Sequence, residues 1–465
     1  MKRYLSLDFL RGVSIFGMVF SAIIPYGILP AWMYHIQNPP PEHKFDMSVS
    51  GISWVDLVFP VFIFCMGVAI PLSGRRRLDA AAGNNISRSY IGDILVRFLM
   101  LWLFSYLYVL LNFSTAPGWW AQLATVIGFI SLFPLYLQFS KTTDAGTKLY
   151  SRIGGALLIT ALIAYGHFRF DEVISLNRSG IIIFLLAFLY LFGALIWYFT
   201  RDNLRWRAII FTAILIFTAI TIPMGLQPKL YAIESIRWFF NMEYIYFLLI
   251  LIPATYVGDL IYTRLLDEKG YNPAESSAVK NQTNILYRTI FVYILWLMFA
   301  LFRGHYFANI IVTLIFTGLI YFLIKERASL YKKEGITAAV LAFAGSIALV
   351  LEGSITKSPC TISYCFITAA IGIYLLILSD WVVNKIRGSY LVRLFAGAGS
   401  NPLMSYIAFS SFVMPLFKLT GFLYIYQSAY PQGYPWIGVL RAAIAVLFTM
   451  ALVARLSEKR VFWRA

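Results

Sequence analysis

The chain has 465 residues, 60% of them hydrophobic and 13% charged, against the roughly 25% charged of a soluble domain. That composition excludes a large water-facing surface, and at about 20 apolar residues per crossing the length admits on the order of 10 to 14 membrane helices and little else. The formal charge of +17 does not mark a nucleic-acid binder, because the basic residues sit in short clusters between apolar runs, as the positive-inside rule requires.

Met1-Lys2-Arg3 opens an apolar stretch that runs to about Leu29 without a small-residue cleavage site, so it reads as a retained first helix. Apolar runs able to span fall near 9–30, 53–73, 92–112, 119–139, 152–168, 179–199, 207–225, 242–262, 287–304, 307–324, 335–352, 363–381, 396–417 and 435–455. The expected fold is all-α: a polytopic helical membrane protein of about 12–14 transmembrane helices, forming one domain over 1–465.

Basic connections alternate with neutral ones: Arg75, Arg76, Arg77 and Arg88; Lys141, Lys148 and Arg152; Arg201, Arg205 and Arg207; Arg264, Lys269 and Lys280; Lys325, Arg327, Lys332 and Lys333; Lys385, Arg387 and Arg393; then Arg455, Lys459 and Arg460. The intervening loops 31–52, 113–118, 169–178, 226–241, 303–306, 353–362 and 418–434 hold only about eight of the 38 Lys and Arg residues. This asymmetry predicts an inner-membrane protein with both termini in the cytoplasm. The first of those loops carries Trp32, His35, Pro39-Pro40-Pro41, Glu42 and His43, and a stiff polyproline run would give it a fixed shape. Three cysteines make no framework, although Cys360 and Cys365 can meet near the outer face while Cys65 lies inside an apolar run.

Ionisable groups in or at the ends of spanning helices are costly and default to functional suspects. They are Asp8 and Arg11, Asp56, Arg97, Glu243, Asp259, Glu352, Asp380 and Arg441. Asp8 and Arg11, three apart on one helix face, are expected to form a structural pair. Asp56 opens the second helix, where its carboxylate can cap the helix or orient a histidine. Of four histidines, His167 and His305 stand alone at helix ends, whereas His35 and His43 share the first loop shortly before Asp56. An imidazole and a carboxylate placed so can exchange a proton near neutral pH. Asn401-Pro402, after Gly397 and Gly399, marks a helix start. No metal-ligand spacing, P-loop, dinucleotide fingerprint or G-x-S-x-G occurs, which disfavours zinc hydrolases, nucleotide-driven pumps and serine hydrolases, and no metal is expected.

Several blocks resemble the heparan-alpha-glucosaminide N-acetyltransferase family and its bacterial relatives. They are Leu7-Asp8-Phe9-Leu10-Arg11-Gly12, Met18-Val19-Phe20, and the run from Gly51 through Trp54, Asp56 and Pro60 to Gly67. Further along come Asn241-Met242-Glu243 with Pro253, Gly399-Ser400-Asn401-Pro402-Leu403-Met404-Ser405-Tyr406, and Lys459 to Arg464. The resemblance implies a transmembrane acyltransferase bundle in which acetyl-CoA, a co-substrate, enters from the cytoplasm and acetylates an amino sugar or glycan on the opposite side. It implies a histidine between Met18-Val19-Phe20 and the block that begins at Gly51 as base or acetyl acceptor, which here is His43 first and His35 second, with Asp56 orienting it. Trp32, Glu243, Asn401 and Gln122 are then candidates for the acceptor and thioester site, and Arg75, Arg76, Arg97 and Arg393 for the CoA phosphates. Two departures stand out: Ser21, Ala22 and Ile23 occupy the place of a family asparagine, and Ala121-Gln122-Leu123 lacks a family arginine. The bilayer and an amino-sugar or glycan acceptor are the expected partners, nucleic acid is not, and a homodimer is left open. A permease for amino sugars or oligosaccharides, with intramembrane charges lining a pathway, and a catalytically degenerate glycan-assembly protein are the alternatives.

Overall fold

The computed structural model describes every residue except 1–3, 80–85, 141, 240, 268–276, 326–330, 431–432 and 465; for 86–88, 237, 267 and 277–283 it describes the helical backbone alone. Lys2, Arg3, Lys141, Lys269 and Arg327 of the charge pattern therefore lie outside the described residues, as do the side chains of Arg88 and Lys280.

The helices are, in chain order, α1 (Leu5–Ser21), α2 (Trp54–Asp79), α3 (Ile86–Leu110), α4 (Trp119–Tyr136), α5 (Ala145–Phe170), α6 (Ile181–Thr200) and α7 (Leu204–Thr221). Three short ones follow, α8 (Leu226–Tyr231), α9 (Glu234–Arg237) and α10 (Glu243–Tyr246). Then come α11 (Leu248–Asp267), α12 (Ser277–Arg303), α13 (Tyr306–Lys325), α14 (Lys332–Glu352) and α15 (Ile362–Lys385). The chain ends with α16 (Tyr390–Gly399), α17 (Pro402–Ala408), α18 (Met414–Thr420), α19 (Phe422–Ser428) and α20 (Pro435–Glu458). Among the described residues thirteen helical stretches are long and apolar enough to cross a membrane. The protein is thus an all-α polytopic membrane protein, as its hydropathy predicts. α1, at 17 residues, reaches about 25 Å, slightly less than a hydrocarbon core of roughly 30 Å.

The chain divides into two compact units that interleave along the sequence: residues 1–10, 30–95 and 188–387 make one, and residues 11–29, 96–187 and 388–465 the other. In the first unit α2 packs on α11 and α15, and α15 also packs on α14. α15 is buried along most of its length, as expected of a helix that is apolar on every side and meets neighbours on all of them. Small residues let α2 and α11 approach closely. A Cβ added at Gly67 would stand 2.6 Å from Ala254 Cβ and 2.7 Å from the Leu251 carbonyl oxygen, and one at Gly258 would stand 2.5 Å from the Val68 carbonyl oxygen. In lipid, where no hydrophobic force draws helices together, such close approach supplies the van der Waals contact that holds them.

In the second unit α4 packs on α5 and α18, and α16 packs on α20. Between α17 and α18 the helix widens into one π-turn over Phe409–Val413. The C-terminal strip returns across the end of α4: Leu137 and Trp463 form an antiparallel bridge, Gln138 N donates to Phe462 O at 2.8 Å, and Arg464 N donates to Tyr136 O at 2.7 Å. Trp463 is buried among the rings of Phe104, Phe129, Phe133 and Tyr136.

Because no side chain fits at the α2–α11 crossing, Gly67→Val and Gly258→Val are each expected to destabilise the protein by about 1–3 kcal/mol. A melting curve in detergent micelles checks this, and a wild-type midpoint for both variants contradicts close packing there.

Candidate functional site

The site is assembled in the first unit, where the loop before α2, the start of α2, the start of α10 and the loop before α15 meet. Its anchor is Asp56, in the first turn of α2. Ser53 precedes that helix and forms a capping box with it: Ser53 N and Oγ donate to Asp56 Oδ2 at 3.1 and 3.0 Å, while Val55 N donates to Ser53 Oγ at 3.2 Å. The same carboxylate accepts His35 Nδ1 at 2.7 Å and Ile36 N at 3.1 Å. Asp56 is 2% exposed and His35 39%, so a buried anion holds a half-open imidazole. With Nδ1–H committed to the carboxylate, the ring presents its lone pair at Nε2. That is the arrangement by which a carboxylate prepares a histidine to accept a proton.

The choice between the loop histidines therefore falls opposite to the sequence expectation. Asp56 orients His35, not His43. His43 is buried with its ring edge-on to Tyr34 at 4.5 Å, and its φ of 52° turns its backbone away from the extended path. Nor is the proline run an extended rod: the Pro40–Pro41 bond is cis and His43 N closes back on Pro39 O at 3.0 Å. Trp32 sits on a short 3-10 turn, Ala31–Met33, and is 46% exposed.

A second loop completes the wall. Gln37 clasps the backbone of Ser358, donating from Nε2 to Ser358 O at 2.7 Å and accepting Ser358 N on Oε1 at 3.1 Å. Gly51 N donates to Ile355 O at 2.8 Å, and Ile355 N donates to Ser50 Oγ at 2.8 Å. Ser358 Oγ donates to Glu243 Oε1 at 2.5 Å, which brings the predicted Glu243 to the same place. Lys357, which sequence reasoning passed over, lies between these groups. Burial holds its ammonium below the ordinary lysine range, while the charges of Asp56 and Glu243 oppose that shift. Its Nζ stands 6.0 Å from the centre of the Phe59 ring. The signal was present in the sequence: Lys357 is the one Lys or Arg of loop 353–362, on the side that the positive-inside rule leaves nearly without cations. Tyr364 OH donates to Asp56 O at 2.7 Å and ties α15 to the start of α2.

Asn401 and Gln122 belong to the second unit, and their side chains are already engaged. Asn401, fully buried, donates to Val461 O at 3.0 Å and accepts Trp463 N at 3.0 Å; it pins the C-terminal strip instead of offering a donor to a thioester. Gln122 Nε2 donates to Ser114 O and Ala116 O at 3.3 and 3.4 Å, closing the loop before α4. Arg75 is likewise engaged, with Asp259 and Asp202 at 3.3 and 3.2 Å and with Arg201 O at 2.6 Å. Arg76, Arg97 and Arg393 are exposed. Asp8 and Arg11 fall in different units; Asp8 is buried, and Arg11 donates to Gly399 O at 3.3 Å.

The remaining intramembrane charges have structural partners. Glu352 accepts Ile362 N and Ser363 N at 2.8 and 3.0 Å, capping α15 from the end of α14. Asp380 accepts Ser6 Oγ at 2.5 Å and the Tyr331 hydroxyl. Asp259 pairs with the buried Arg207 at 2.7 Å and accepts Trp197 Nε1 at 3.3 Å. Arg441 donates to Tyr426 O at 3.1 Å and stacks on the Tyr426 and Tyr430 rings at 4.3 and 5.1 Å. His167 and His305 are exposed, apart from these groups in sequence. Among the described residues no three His, Cys, Asp or Glu side chains gather to hold a metal.

Residues 3–261 match the family model described as Domain of unknown function (DUF5009). The match covers more than half of the chain, and the protein belongs to that family; the matched stretch includes His35, Asp56 and Glu243. Among curated proteins none matches the chain.

Two outcomes follow from this geometry. Asn401→Ala leaves the buried Trp463 N–H and the partly buried Val461 carbonyl without this side chain's hydrogen bonds, at a cost of about 1–3 kcal/mol, which a thermal melt will show as a lower midpoint. Since the folded state holds Lys357 below its unfolded value, the unfolded chain binds more protons between the two, and stability rises with pH there. Wild-type stability measured relative to Lys357→Met should accordingly increase as pH climbs toward about 10; a flat or falling difference contradicts the burial of the ammonium.

Proposed function

We propose that this protein is an acyltransferase of the bacterial inner membrane, with both termini cytoplasmic, moving acetyl from cytoplasmic acetyl-CoA to an amino sugar or glycan on the far side. The observation that carries the reading is the His35–Asp56 pair: a half-open imidazole held by a buried carboxylate beside Glu243, Ser358 and Lys357. The resemblance of the first sequence blocks to heparan-alpha-glucosaminide N-acetyltransferases supports it and supplies the substrate class.

In this reading an acceptor amine gives a proton to His35 Nε2 as its nitrogen attacks the thioester carbonyl carbon. The new C–N bond forms, the C–S bond breaks, and CoA leaves as thiolate with the proton returned to solvent or sulfur. Asp56 stabilises the imidazolium formed on the way and keeps the ring in register. Arg76 in the first unit, or Arg97 or Arg393 in the second, is the remaining candidate for the CoA phosphates. A permease for the same sugars is the second reading, favoured by the Arg207–Asp259 ion pair on spanning helices; it predicts uptake into proteoliposomes without CoA.

His35→Ala should lower acetyl-CoA-dependent CoA release by about 100-fold or more with the melting midpoint held, while His43→Ala keeps most of the activity. Full turnover by His35→Ala, alongside a dead His43→Ala, would return the role of base to His43.

A further inference from the structure

We propose that Cys360 and Cys365 are joined by an intramolecular disulfide in the mature protein, a covalent tie between the Lys357–Ser358 loop and the first turns of α15. Their Sγ atoms lie 3.0 Å apart, about 1 Å beyond a covalent S–S bond, and both residues are fully buried. Cys360 directly precedes Thr361, whose side chain caps α15, and Cys365 N donates to Thr361 O at 3.1 Å. The two thiols are thus brought face to face by the helix start itself.

Their other neighbours do not account for two buried sulfurs. Cys365 Sγ reaches Tyr246 O at 3.5 Å and Cys360 Sγ reaches Thr361 O at 3.7 Å, weak contacts of a kind that a serine hydroxyl could also make. A metal centre is not the explanation either, since no third ligand accompanies them among the described residues.

The oxidant is a disulfide-donating thiol oxidoreductase. A thiolate of one cysteine attacks the donor's disulfide to give a mixed disulfide, the second thiolate attacks that bond, and the donor departs as a dithiol carrying away two electrons; the pair's two protons go to the donor or solvent. Burial of the pair means that exchange precedes closure of the loop. The bond also places the start of α15 in an oxidising compartment, the side that the scarcity of cations assigns to loop 353–362. Acyl transfer is not required for any of this, so the proposal stands or falls separately from that reading. Its consequence is local: loop 353–361, which carries Lys357 and the Ser358 partner of Glu243 and Gln37, is covalently fixed to α15.

The test is mass spectrometry of the full-length protein, alkylated with N-ethylmaleimide at membrane lysis, denatured in alkylating agent and cut with trypsin. Residues 358–385 form one peptide containing both cysteines. The expected peptide is unalkylated and lighter by two hydrogens, gaining two alkyl groups only after reduction, while Cys65 is alkylated without reductant. A doubly alkylated 358–385 peptide from unreduced protein overturns the proposal. A reductant should also lower the melting midpoint of the wild type and leave that of the Cys360→Ser, Cys365→Ser double variant unmoved; a wild type indifferent to reductant overturns the loop-fixing role.

Discussion

The carboxylate of Asp56 is an anion withdrawn from water, and the protein must supply the hydrogen bonds that water no longer gives. It does so from two directions, with Ser53 just before its own helix and His35 and Ile36 farther back on the same loop. The position at the start of α2 adds the favourable end of the helix dipole. Because one buried charge draws on all these donors, a long connection becomes a fixed wall. Gln37, two residues after His35, can then clasp Ser358, whose hydroxyl holds Glu243, while the neighbouring Lys357 feels the charges of both Asp56 and Glu243.

Away from this site, polar groups in the spanning helices serve the fold. Glu352 caps a neighbouring helix, and Asn401 holds the C-terminal strip. Asn309, Ser346, Thr313 and Tyr293 link three helices through buried hydroxyl and amide contacts. A helix buried in lipid has few other directional contacts to offer, so side-chain hydrogen bonds help fix which helices adjoin. An ionisable residue in a spanning segment is for that reason a weaker guide to function in this chain than its solvation cost suggests, and Glu352 and Asp380 illustrate the point. Here the informative residue is a carboxylate whose partner is an imidazole left half open.

The local parts of this arrangement were legible. Asp56 does open α2 and take a histidine as its partner, the meeting of Cys360 and Cys365 follows from their placement around a helix start, and Asn401-Pro402 does open α17. His35 and His43 were both flagged, with His43 expected at Asp56, where His35 stands instead: a loop of this length has no periodicity from which to read which ring turns toward Asp56. Lys357 was discernible only as an exception to a charge pattern. Asn401 misled because a buried amide that holds backbone and one that holds substrate look alike in a string of residues.

Hydrophobic burial is a sum over a window of about 20 residues, so the sequence by itself determined the membrane-spanning helices and their positions. Hydrogen bonding is decided by a few tenths of an ångström between groups far apart in the chain. Tertiary structure alone decided that Gln37 meets Ser358, 321 positions away, that His35 and not His43 reaches Asp56, and that Asn401 is already taken by the tail. A pattern of residue types carries no distances, and these contacts exist only once helix packing and the turns between helices have set them.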